Sequence, residues 1–466
     1  MIKRNILLVV LVVLITNVLT FFGARTIGSG PGEAGIDNAS DGLNDDLLIM
    51  EEVINLLEAE HLEEIDRNKL LHGAFEGMIK TLDDPEANYL ASEEYENLMV
   101  QTRGTYGGVG IEVFIDGDYV TIISPISGTP GEAVGLVSGD RIISVDGINL
   151  VGEDLSKAVE LMRGEPGTDL ELEIERLGVD KTLMFEITRE KIELDTVEYE
   201  MLSDRLGYIK ISNFAETTAQ EFETALDLLK QENMEALIID LRNNPGGLLK
   251  AAVKIADLLI PEGPITHIED RERIVETHYS NQEGLDIAMA ALVNGASSSA
   301  SEILAGALQD TGSATIIGTQ TFGKASVQTI QPLSDGGALR FTVAHYQTPD
   351  GRVIHEEGLE PDFKVEPPEI VKLASEPISI DLRRGDEKEE VETLQKLLIE
   401  FGYFEEEVNG TFDQATEEAL EQFQADHDLY VTGEMSEMVV RKFHEKIEAL
   451  RQEDDRKMEK AIELLK

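Results

Sequence analysis

Residues 236–247 read ALIIDLRNNPGG, a short apolar run that ends in a charged and then glycine-rich turn. Such a run, bounded by turn formers, suits a strand buried on both faces. The stretch LLKAAVKIADLLI at 248–260 takes up helical spacing directly after the two glycines. A strand feeding a helix through a tight turn is where α/β proteins place ligands and reacting groups. Outward from this turn, strand-like runs (LGYIKI 206–211, AALV 290–293, ATIIG 314–318, ALRFTVAHY 338–346) alternate with the helical stretches TAQEFETALDLLKQ (218–231) and SASEILAGALQD (299–310). That alternation predicts an α/β layer fold over 189–370.

The flanks differ in character. Residues 105–188 carry alternating apolar and polar runs between Gly and Asp turns (TYGGVGIEVFI, GDRIISVDGINL, TDLELEIERL) with one helical stretch, EDLSKAVELMRG, which predicts a β-rich domain. This part resembles a PDZ domain. There a glycine-containing loop, here Gly107-Gly108-Val109-Gly110-Ile111, presents backbone N–H groups to a peptide carboxylate, and the peptide adds a strand to the sheet edge. Residues 45–104 have helical periodicity, and 25–44, rich in Gly, Ser, Asp and Asn, read as a linker. Residues 377–447 resemble a small three-helix peptidoglycan-binding domain, with LRRGDEKEEVETLQ, two glycine turns (VNGTF, VTGEM) and a later FQ. They depart from its pattern at Lys388, Asn409 and Asp413, and a bare helical spacer is the alternative. Residues 448–466 read as a charged, solvated helical tail.

Composition narrows the function. The 466 residues call for several domains at about 100–200 residues each. A net charge of −53 repels nucleic-acid phosphates, so no nucleic-acid partner is expected. At 42% hydrophobic the chain still has apolar surface for sizeable cores. There is no cysteine, which excludes thiol nucleophiles, disulfides and cysteine metal sites. No His-Glu-x-x-His and no Walker A motif occur, so neither a metal nor a nucleotide cofactor is expected. Lys3 and Arg4 precede the uncharged ILLVVLVVLITNVLTFFGA at 6–24, nearly long enough to cross a bilayer. This predicts an anchor over 1–24 with everything after it outside the cytoplasmic membrane. The alternative is a cleaved signal peptide, which would release the protein.

VNGASSSASE at 293–302 sets serines at the mouth of a helix, where unpaired backbone N–H groups and the positive end of the dipole suit an oxyanion. On spacing alone, Ser299 and Glu302 equally form a helix capping box. A nucleophilic serine needs a base, and no histidine–acid pattern lies nearby. Lys324 in TQTFGKASVQ (319–328) sits in a glycine turn after an apolar strand, a place where an amine can be desolvated; Gln328 can orient it without adding charge.

The stretch from about Asp45 to Asp362 resembles the carboxyl-terminal processing, or tail-specific, proteases of family S41. The motifs are GAFEGMIKTLDD (73–84), DLRNNPGG (240–247), NGASSSASE (294–302), GKASVQ (323–328), TPDGRVI (348–354) and GLEPD (358–362), in family order. The resemblance implies a multidomain α/β and α+β protein with a crotonase/ClpP-like protease core, an inserted PDZ domain and an N-terminal helical region. It implies Ser299 as nucleophile, Lys324 as base, Gln328 as its support, and the backbone N–H groups of Gly247 and Ala300 as the oxyanion hole. In the PDZ domain it implies peptide binding by Gly108, Val109, Gly110 and Ile111, with Arg163 coupling substrate arrival to activation. Ser298 stands in place of a usual alanine and Ala325 of a usual glycine, and neither change removes a reacting group. The implied partners are proteins with exposed C-terminal tails, peptidoglycan for 377–447, and a second copy of the chain, since relatives dimerise through the N-terminal helical region and the end of the core. A catalytically silent scaffold and a peptidoglycan hydrolase are the rival readings; the first is opposed by the intact Ser299, Lys324 and Gln328, the second by the lack of a recognisable carboxylate or metal arrangement.

Overall fold

The computed structural model describes residues 37–271, 273–373, 379–453 and 455–466. The expected anchor at 1–24 lies outside the described residues. Among those described, no helix is long and apolar enough to cross a membrane. The chain divides into two units, one up to Tyr89 and one from Leu90.

The first unit holds α1 (Asp37–Glu60) and α2 (Arg67–Lys80). Asp66 caps α2 by accepting from Asn68 N–H at 2.8 Å, and Arg67 reaches back to Glu58 at 3.0 Å. Helix α1 begins at Asp37, inside the 25–44 stretch expected to be a linker. Extending an existing helix costs far less than nucleating one, so the apolar periodicity from Leu47 onward carries weaker helix formers with it.

The second unit opens with α3 (Ser92–Arg103) and β1 (Thr105–Gly108), followed by the PDZ-like sheet: β2 (Ile111–Asp116), β3 (Tyr119–Pro125), β4 (Arg141–Val145), β5 (Asp169–Glu175) and β6 (Leu183–Thr188), in that spatial order. Helix α4 (Leu155–Met162) lies between β4 and β5 in the chain, its first turn capped by Asp154. In β5 the period-2 pattern is visible residue by residue. Leu170, Leu172 and Ile174 are buried with Ile122, Ile142 and Ile187, while Glu171 and Glu175 are exposed. Strand β7 (Glu190–Glu193) pairs with β1 and leads the chain back out of this domain.

The core sheet contains β8 (Val197–Met201), β9 (Leu206–Ile211), β10 (Ala236–Asp240), β13 (Ala288–Val293), β14 (Thr315–Gly318) and β17 (Phe363–Lys364) in that order; β8 alone pairs antiparallel. Between them run α5 (Thr218–Gln231), α6 (Leu249–Leu259) and α7 (Ala300–Asp310). A second, antiparallel sheet runs β12 (Ile274–Ser280), β11 (Gly263–Glu269), β16 (Ala338–Gln347), β15 (Ser326–Pro332). Strand β10 is buried at every residue because both faces are covered. Leu237 and Ile239 face the cluster built by α5, α6 and α7, whereas Ala236 and Ile238 belong to a separate cluster on the other face. Parallel strands need this double cover, which is why the run has no polar alternation.

The C-terminal module carries α8 (Glu389–Glu400), α9 (Gln414–Asp426) and α10 (Glu437–Glu453). It repeats one device. Buried Gln395 on α8 accepts from the N–H groups of Asn409 and Gly410 at 3.0 and 3.1 Å, and buried Gln424 on α9 accepts from those of Thr432 and Gly433 at 2.8 and 3.0 Å. Each glutamine thus closes the glycine turn that follows its helix, VNGTF in one repeat and VTGEM in the other.

The last helix, α11 (Arg456–Leu464), corrects the expectation of a solvated tail. Met458, Ala461, Ile462 and Leu465 recur at i, i+3, i+4 and i+7 and pack with Ala236, Ile238, Ala290 and Leu292 on the second face of the core sheet. Charge density concealed a narrow apolar stripe. Six of the last eleven residues are charged, yet Ala461 is fully buried.

Candidate active site

Strand β13 ends at Val293, and the turn from Asn294 to Ser298 delivers Ser299 to the head of α7. Three serines of the cluster are buried. Ser297 donates its hydroxyl to Leu241 O at 2.8 Å and Ser301 to Asn244 O at 3.0 Å, so these two fasten α7 to the Leu241–Gly247 turn. Ser299 is different. It is half-buried and holds φ 54 and ψ −113, outside the regions open to ordinary residues. A conformation of this kind costs roughly 1–3 kcal/mol and persists where its surroundings over-determine it.

Those surroundings are Glu302 and Tyr346, both almost completely buried. Oε2 of Glu302 accepts from Ser299 N–H at 2.9 Å and from Lys324 N–H at 2.9 Å. Oε1 accepts from Thr321 Oγ1 at 2.5 Å and Gly323 N–H at 2.7 Å. The Tyr346 hydroxyl lies 2.8 Å from Ser299 O and 2.7 Å from Lys324 O, so its proton is shared between the two carbonyls. Burial, with the charge of Glu302 as a second cause, pushes the Tyr346 pKa well above the ordinary phenolic value and keeps it a donor. Ser299 and Lys324 are therefore clamped to each other through both backbone groups.

The capping-box alternative is only half realised. Glu302 reaches back to Ser299 N–H, but Glu302 N–H bonds Ser299 O, and the Ser299 side chain makes no cap hydrogen bond. The hydroxyl is left for another use. Lys324, half-buried, stands between Gly323 and the fully buried Ala325 at the entry to β15, and Gln328 lies four residues on in that strand, opposite Thr342.

The glycine turn meets Ser299 from the other side. A Cβ built on Gly246 would lie 2.6 Å from Ser298 O and 2.8 Å from Ser299 Cβ, and Gly246 has φ 101, so a side chain is barred twice. A Cβ on Gly247 would lie 2.3 Å from Phe214 O. Asn244, buried, shapes the turn by donating to Ile211 O at 2.8 Å and accepting Gly246 N–H at 2.9 Å. The bonds that hold this turn thus consume the N–H of Gly246 and leave those of Gly247 and Ala300 outside the network.

The expected peptide-binding residues form a separate cleft in the PDZ-like domain. Gly108, Val109, Gly110 and Ile111, from the end of β1 to the start of β2, line it together with Met162 of α4 and Arg163. Arg163 donates to Asn97 Oδ1 of α3 at 2.6 Å and sits 5.3 Å over the Tyr106 ring.

Comparison with known proteins places these elements. The Peptidase family S41 model matches 205–365, a PDZ domain model 121–176, a peptidoglycan binding domain model 387–442, and the Activating protease CtpB N-terminal domain model 24–94. The "Carboxy-terminal processing protease CtpA" of Bacillus subtilis (strain 168) is 35% identical over 412 residues, covering 88% of each chain. The chain belongs to the carboxy-terminal processing serine proteases of family S41. A "Probable CtpA-like serine protease" of Staphylococcus aureus (strain N315) is 33% identical over 421 residues, 90% of this chain and 84% of that one. Among solved structures, the photosystem II D1 C-terminal processing protease is 32% identical with a TM-score of 0.41, over 67% of this chain and 85% of that one.

For this S41 protease, sequence motifs located Ser299, Lys324 and the glycine turn but missed the clamp. In the sequence Glu302 stands out only as a capping residue, and Tyr346 only as the last residue of the strand-like run 338–346. Only the fold reveals the clamp: it buries Glu302 beside the serine, a buried carboxylate demands several donors, and here four supply them.

Proposed function

We infer that the protease works through a Ser–Lys dyad: Ser299 attacks the scissile carbonyl as Lys324 takes its proton, Lys324 returns a proton to the leaving amine, and water hydrolyses the acyl-enzyme. Gln328 orients the amine. The N–H groups of Gly247 and Ala300 receive the oxyanion, a use consistent with their standing outside the bonds that hold the turn. The observation that carries this reading is the double backbone clamp of Glu302 and Tyr346 on Ser299 and Lys324, which joins two segments far apart in sequence at one point.

The substrate is a protein tail. The cleft at Gly108–Ile111 is lined by Val109, Ile111, Val113, Val159 and Met162, side chains suited to an apolar last residue, and its glycine-containing loop is of the kind that receives a C-terminal carboxylate on backbone N–H groups. The apolar stretch 6–24 anchors the chain with its domains outside the cytoplasmic membrane. The module at 387–442 holds the protease near peptidoglycan, and the N-terminal helices and the end of the core provide a homodimer contact.

The test is cleavage of an unstructured protein with an apolar C-terminal tail, compared with the same protein carrying a C-terminal amide. Carboxylate recognition predicts markedly slower cleavage of the amide. Equal rates would remove the tail-sensing part of the reading and leave the dyad standing.

A further inference from the structure

The C-terminal helix does more than cover apolar surface. Its N-cap, Asp455, accepts through Oδ1 from Met458 N–H at 3.1 Å and from Arg242 Nη1 at 2.7 Å, so one carboxylate both starts α11 and ties it to the core. Arg242 is held on its other side by Asp240, with Nε to Oδ1 at 2.9 Å and Nη2 to Oδ2 at 2.6 Å. Asp240, only 3% exposed, also accepts from Tyr208 Oη at 2.9 Å. The guanidinium is thus pinned between the end of the central strand β10 and the end of the chain.

Arg242 is also where the glycine turn begins. Four residues later, Gly246 rests against Ser299, and the turn between is braced by Asn243 to Asn294 and by Asn244 to Ile211. A turn fixed at both ends and along its length presents Gly247 in one place; a turn released at Arg242 has freedom at its root. An oxyanion donor tolerates little of that freedom, because its effect depends on lying where charge develops.

We propose that Asp455 is a positioning residue for this protease: acting through Arg242, the helix that follows the peptidoglycan-binding-like module fixes the turn carrying the oxyanion donor Gly247, and so sets turnover as well as stability. The proposal rests on Gly247 serving as oxyanion donor in a Ser299-dependent protease.

Asp455→Asn separates the two roles of the carboxylate, since asparagine caps a helix about as well as aspartate but carries no charge for Arg242. The experiment uses the full chain in detergent and measures kcat, KM, melting temperature and the inhibition constant of a peptide aldehyde, whose adduct on a serine carries the oxyanion. The expected result for Asp455→Asn is a kcat lower by about 5-fold, an aldehyde constant weaker by about the same factor, and KM within about 2-fold of wild type. Asp455→Ala, which also loses the cap, is expected to lower the melting temperature further. Wild-type kcat and aldehyde binding in Asp455→Asn, with or without a lower melting temperature, would overturn the proposal and reduce α11 to a cover. Ser299→Ala run in parallel keeps the two readings apart. If it still cleaves, the protease site itself is misassigned; if it is dead while Asp455→Asn turns over normally, only the positioning role falls.

Discussion

The backbone N–H groups of Ser299 and Lys324 meet on a single oxygen, Oε2 of Glu302, at 2.9 Å each. A buried carboxylate is costly unless it is hydrogen-bonded, and here four donors offset that cost. The same contacts hold the serine in a backbone conformation that it would not keep alone. The backbone positions of Ser299 and Lys324 therefore depend on one side chain.

Glu302→Gln replaces one acceptor oxygen by a donor NH2 and sets it against at least one N–H or O–H. Each buried donor left unpaired costs about 1–3 kcal/mol. The expected outcome is a lower melting temperature together with a kcat reduced by about 100-fold, since small displacements of reacting groups have effects of that size. Thermal scans and steady-state cleavage check both, and a variant destabilised but fully active would show that the clamp is scaffolding only.

Tyr346→Phe keeps the buried ring and removes the hydroxyl that bridges Ser299 O and Lys324 O. A kcat loss of about 10-fold is expected, with a stability loss of about 0.5–1.5 kcal/mol for the missing hydrogen bonds. The pH dependence has a definite sign. Because the folded pKa of Tyr346 is raised, its contribution to stability is fully present below the ordinary tyrosine value of 10.0 and is lost only as pH rises beyond it through the folded value. Wild-type stability should fall more steeply than that of Tyr346→Phe above pH 10, and parallel curves would contradict this.

Gly246→Ala places a Cβ at 2.6 Å from Ser298 O and asks a non-glycine residue to adopt φ 101. The clash is with backbone, so either the turn or the serine must move. A kcat reduction of about 100-fold with a smaller change in KM is expected. Unchanged kinetics would mean that the turn and Ser299 are not as closely apposed as described.

The folding of the core was largely written in local patterns. ALIID is apolar at both parities because helices cover both faces of β10, and the β5 run DLELEIE alternates because one face is solvated. Motif order along the chain brought Ser299, Lys324 and the glycines to attention. Tyr346 escaped because its partner carbonyls are 22 and 47 residues away, and no local spacing encodes such a meeting. The tail escaped for a related reason: four apolar residues among lysines and glutamates look like a solvated helix until the bare sheet face that they cover is known. Residues 37–44 look like linker because composition describes isolated residues, whereas helix formation is cooperative.

The central claim is that Ser299 and Lys324 act together. The direct measurement is cleavage of an unstructured, apolar-tailed protein by the wild-type chain, Ser299→Ala and Lys324→Ala, each shown to be folded by its thermal transition. The account predicts that wild type cleaves and that both variants lose activity by at least about 1,000-fold while melting close to wild type. Substantial cleavage by folded Lys324→Ala would contradict the dyad, and cleavage by folded Ser299→Ala would contradict the nucleophile.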